Sequence, residues 1–87
     1  MDVPSGEIIR VSLPNKMVWI NLGRADSLQR ETRFTVYSTD GKAVKKGTVE
    51  VTLIDGEHSA AARIRDDKIA DPILAGDKIK QQMAHQK

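Results

Sequence analysis

The sequence predicts an all-β fold, a small six-stranded, mostly antiparallel barrel. Three observations carry that expectation. Apolar residues recur at every second position, turn residues separate these runs at regular spacing, and alanines occupy inward positions of one run, where they suit a tightly curved interior. The 87 residues allow one domain and one core. That domain is expected over residues 6–81, with 1–5 and 82–87 as flexible ends.

The first run covers residues 7–13, with Ile9, Val11 and Leu13 on the inward face and Arg10 and Ser12 outward. Ile8 breaks the alternation and is expected at an edge or under a terminus. Pro14-Asn15-Lys16 is a turn signal. Residues 17–22 then alternate, with Val18, Ile20 and Leu22 inward and Trp19 and Asn21 outward, so the two runs read as a hairpin. The longest irregular connection follows, residues 23–33, where Asp26 is placed to cap a short helical turn, with Ser27 as the alternative. Leu28, its one large apolar residue, is expected to plug a barrel end.

Residues 32–38 form the next strand, with Phe34 and Val36 inward and Thr35 and Tyr37 outward. Asp40-Gly41 supplies the positive φ of a tight turn. Residues 45–54 make the longest strand, with Val49, Val51 and Leu53 inward. After the turn at Asp55-Gly56-Glu57, residues 59–65 place Ala60, Ala62 and Ile64 inward. A second irregular stretch, 66–76, holds Ile69, Pro72, Ile73 and Leu74, and a last short strand covers 77–81. Closure into a barrel removes edges that an open sheet of this size would leave bare.

Composition excludes several chemistries. Cysteine is absent, so there is no disulfide framework, thiolate metal site or cysteine nucleophile. A net charge of +2 is a weaker and less clustered excess than a dedicated nucleic-acid binder carries. No apolar stretch approaches the roughly 20 residues of a membrane-spanning helix. The opening residues lack the basic and apolar regions of a signal peptide, and the reading preferred here is a domain excised from a longer protein.

No site for chemistry stands out. Asp66, Asp67 and Asp71 offer carboxylates but lack the spacing of a calcium loop, so a solvated loop is the expected role and no metal is assigned. His58 sits in a turn beside Asp55 and Ser59, a poor place to hold a nucleophilic triad. The six glycines are isolated and form no phosphate loop. No catalytic residue and no cofactor is expected. Lys42, Lys45 and Lys46 form one basic patch, and Arg24, Arg30 and Arg33 another, with Trp19 and Tyr37 as the available stacking aromatics. Trp19 and Tyr37 would lie near each other if their strands pair.

One series of motifs is more specific than generic β patterning. It runs from Val18-Trp19-Ile20-Asn21-Leu22-Gly23-Arg24-Ala25-Asp26-Ser27-Leu28 to Arg33-Phe34-Thr35-Val36-Tyr37. It continues in Lys46-Gly47-Thr48-Val49-Glu50-Val51-Thr52, Ser59-Ala60-Ala61-Ala62-Arg63-Ile64 and Asp71-Pro72-Ile73-Leu74-Ala75-Gly76-Asp77-Lys78-Ile79. This order resembles the carboxy-terminal β-barrel domain of flagellar assembly protein T and, more loosely, the β-domains of the rod-shape-determining protein MreC. It is also similar to the carboxy-terminal domains of uncharacterised planctomycete coiled-coil proteins. The resemblance implies a contact-making barrel in an envelope-associated, periplasmic setting, fused to an upstream helix or coiled coil, and brings no catalytic residue with it. Many such relatives carry Gly where this chain has Ser27, and often where it has Glu31, so the long loop is expected to differ here.

The expected function is a non-catalytic protein-interaction or assembly domain. Its surface would comprise Trp19, Tyr37, Arg24, Arg30 and Arg33, and its partner would be another protein or its own upstream helical segment. The alternative is a small nucleic-acid-binding barrel using Lys42, Lys45 and Lys46.

Overall fold

The computed structural model describes residues 5–39, 44–68 and 70–82. It has six strands: β1 (Ser5–Ser12), β2 (Met17–Ile20), β3 (Arg33–Tyr37), β4 (Lys45–Ile54), β5 (Ala60–Asp67) and β6 (Lys78–Gln81). They close into a barrel in the order β1-β2-β5-β4-β3-β6. Every neighbouring pair is antiparallel. The six-stranded all-β barrel read from the alternation is therefore the fold observed.

The β1–β2 hairpin and the β3–β4–β5 meander pair strands that follow one another in sequence. The long connections do different work. In the ring, β2 lies three places from β3, and β5 three places from β6, so each connection joins opposite walls. Because β2 and β5 are antiparallel neighbours, the two connections cross opposite barrel ends. The first contains a single 3₁₀ turn, Arg24–Asp26. Ser5 pairs with Lys80, and the Gln82 N–H donates to the Arg33 carbonyl at 3.0 Å, so the described parts of both ends join the ring rather than hanging free.

Two β-bulges correct the inward faces expected from strict alternation. The register of β1 against β2 slips between Ile8 and Arg10. This turns Ile8 fully inward and leaves Ile9 49% exposed, the reverse of the expected assignment. Val11 is partly buried, and Leu13, past the strand end, is exposed. In β4 the register slips between Val51 and Leu53. Leu53 consequently points outward at 57% exposure, and Ile54 packs against the core instead.

The core is made by Ile8, Val18, Ile20, Phe34, Val36, Val49, Val51, Ala60, Ala62, Ile64 and Ile79 from the walls. Leu22 and Leu28 close one end and Ile73 the other. With so few aromatics, close packing of branched aliphatic chains carries the stability.

Candidate functional site

Strand order decides which of the expected surface residues meet. Trp19 is on β2 and Tyr37 on β3, on opposite walls of the ring, so the two aromatics do not share a surface. Tyr37 stands opposite Lys45 on one side and Lys78 on the other. Lys78 Nζ in turn lies 3.2 Å from Glu7 Oε1.

The Trp19 wall is the more unusual. Across the outer face, Arg10 of β1 faces Trp19, Trp19 faces Ala61 of β5, and Ala61 faces Leu53 of β4. The Arg10 guanidinium carbon lies 4.2 Å from the centre of the Trp19 ring, a cation–π contact that fixes the indole against the wall. The β1 bulge brings Ile9 to the same place, and Ile9, Arg10 and Trp19 line a shallow depression of about 340 Å³ with Asp55 and Ser59. An apolar row thus runs across a face where alternation should leave polar residues.

The three loop arginines separate. Arg24 pairs with Glu57 of the β4–β5 turn, with Nε 3.4 Å from Oε2. Arg33 lies on β3 with Nε 3.6 Å from Glu50 Oε1. Arg30 projects from the loop beside Glu31, Arg63 and Arg65. Sequence reading missed Arg10, Leu53, Arg63 and Arg65 as surface partners, although the β5 alternation already placed Arg63 and Arg65 outward.

The lysine patch does not form as expected. Lys46 is the residue skipped where the β3–β4 register slips between Val36 and Tyr37, and it is only 5% exposed. Its Nζ donates to Asp77 Oδ2 at 2.9 Å and to the Pro72 carbonyl at 3.0 Å, with Asp71 Oδ1 at 3.7 Å. Asp77 Oδ2 also accepts from the Leu74 N–H at 2.8 Å, so burial is matched by hydrogen bonds on both charges. Lys45 is exposed, and Lys42 lies outside the described residues, as do Asp40, Gly41 and Ile69.

Asp67 faces Lys16 at 3.8 Å, Asp71 turns toward Lys46, and Asp66 is exposed, so these carboxylates diverge. Among the described residues, no three His, Asp or Glu side chains converge as a metal site would require. His58 is exposed, with Nδ1 3.6 Å from Asp26 Oδ2. That same oxygen accepts from the Gly23 N–H at 2.9 Å, so Gly23 is the N-cap of the 3₁₀ turn and Asp26, its third residue, reaches back to it instead of opening a turn of its own. Ser27 instead ends the turn with φ 59°, and Glu31 has φ 72°. Both positions are therefore left-handed without glycine.

Comparison with known proteins finds no family model that matches the chain and no similar curated protein.

Proposed function

We propose that this barrel is a non-catalytic protein-interaction or assembly domain of a larger envelope-associated protein, and that its contact face is the outer wall of β1, β2, β5 and β4 around Trp19. The observation that carries this reading is the row Ile9, Trp19 and Leu53 running over the buried Ala61, with Arg10 stacked on the indole. Tryptophan and arginine are the side chains that most often dominate protein contacts. A pre-stacked pair loses little rotamer freedom on docking. The envelope setting and an upstream helical segment as a possible partner come from the family resemblance alone.

The nucleic-acid alternative draws less support. Lys46 is spent inside the barrel, the Trp19 ring is already covered by Arg10, and Tyr37 lies on the opposite wall.

The test is site-specific photocrosslinking in cells, with the photoreactive residue placed at Leu53 or, on the opposite wall, at Tyr37. Protein adducts are expected from position 53 and should disappear with Trp19→Ala. Adducts confined to position 37, or adducts at 53 indifferent to Trp19→Ala, would remove this face from consideration.

A further inference from the structure

Two residues along β5 from Ala61, about 7 Å at strand spacing, the same outer wall changes character. Arg63 faces Glu50 of β4, and Glu50 faces Arg33 of β3. Glu50 Oε1 lies 3.6 Å from Arg33 Nε and 3.4 Å from Arg65 Nε, so one carboxylate serves two guanidiniums. Arg30 and Arg63 make no ion pair with any described residue. Together with Arg65 they line a shallow depression of about 200 Å³, completed by Glu31, Glu50 and Thr52. The loop that carries Arg30 is pinned there, because the Glu31 N–H donates to the Val51 carbonyl at 2.8 Å and the Val51 N–H to the Thr32 carbonyl at 2.9 Å.

We infer that this depression receives the carboxylates of an acidic peptide segment of the protein partner, beside the apolar row that takes its hydrophobic anchor. The inference rests on the protein-interaction reading above. Guanidinium forks pair with carboxylates bidentately, and three arginines line the depression against two glutamates, one of which, Glu50, is shared with Arg33 outside it, so donors remain unspent. A nucleic-acid strand would also supply anions, but it needs a basic groove with open aromatic faces along it. Here the neighbouring row is apolar and its single ring is stacked by Arg10.

The experiment is an NMR titration of the whole chain with three probes: a peptide alternating Glu and Leu, its Gln counterpart, and a single-stranded oligonucleotide. The acidic peptide should shift the resonances of Arg30, Arg63, Arg65 and the Trp19 indole, and the Gln peptide should not. Arg30→Gln with Arg63→Gln should weaken binding about tenfold. Glu50→Gln releases Arg33 and Arg65 and should tighten it about threefold, a gain that misfolding cannot mimic. Equal binding of the Gln peptide, tighter binding of the oligonucleotide, or no gain from Glu50→Gln overturns the inference. If the acidic peptide shifts nothing while crosslinks from position 53 persist, the carboxylate site falls and the interaction reading stands. If the peptide binds at Arg63 but the crosslinks ignore Trp19→Ala, the site stands and the interaction reading falls.

Discussion

The two connections that cross the barrel ends solve one problem by opposite means. The β5–β6 connection anchors itself with a buried charge pair, Lys46 to Asp77, and drives Ile73 fully into the core. The β2–β3 connection has no buried charge pair among its described residues. It relies on backbone hydrogen bonds to the β4–β5 turn, from Arg24 N–H to the Gly56 carbonyl at 3.0 Å and from Ala25 N–H to the Glu57 carbonyl at 2.9 Å. It also tolerates two non-glycine residues at positive φ. The first end concentrates its stabilisation in one interaction, and the second spreads it over many small ones. Breaking single groups should therefore be far costlier at the first.

The largest effect is expected from Asp77→Ala, which leaves the buried Lys46 charge with only the Pro72 carbonyl and the more distant Asp71 carboxylate, 3.7 Å away. The loss should be about 3–5 kcal/mol by urea denaturation. Replacing both partners with apolar residues, Lys46→Met with Asp77→Leu, should recover most of it, because the desolvation cost of both charges then disappears. A double variant as unstable as the single one would show that the charges hold the connection in register.

At the other end, Gly23→Ala should cost about 2 kcal/mol, since a Cβ there would overlap the Gly56 carbonyl oxygen and push the loop off the β4–β5 turn. Asp26→Ala, which removes the acceptor for the Gly23 N–H, should cost about 1 kcal/mol. The smallest change has the opposite sign. Ser27→Gly and Glu31→Gly should each raise stability by about 0.5 kcal/mol, the relief of a left-handed backbone exceeding the added entropy of glycine in the unfolded chain. A loss from either glycine would mean that the side chain makes a compensating contact.

The ends also show how far local pattern reaches. Strand positions were legible because Val18, Ile20, Phe34, Val36, Ala60, Ala62 and Ile64 obey a period of two with turn residues between. The bulges were hidden by the strict form of that rule, yet two of them leave an adjacent apolar pair, Ile8-Ile9 and Leu53-Ile54, while the slip that skips Lys46 and the one between Thr48 and Val49 carry no such mark. Regular alternation points two neighbours to opposite faces, so such a pair marks a candidate phase change. Lys46 was misread because neither the β4 slip that skips it nor its partner 31 residues away leaves a mark in the local pattern. The grouping of Trp19 with Tyr37 failed for the same reason. Facing direction is local, but ring order depends on which distant strands pair.

The ring also has a consequence for how the molecule comes into being. Its first and last strands are neighbours, with Ser5 opposite Lys80 and Glu7 opposite Lys78. Until residues 78–81 leave the ribosome, β1 and β3 both keep an open edge and the barrel is a curled sheet without its clasp. Such long-range closure is the slow step of a β topology. Since β1 begins beside the end of β6, tension applied across the domain would peel this seam one hydrogen-bonded pair at a time. The barrel should open under modest force at the β1–β6 seam while the β3–β4–β5 meander is still intact.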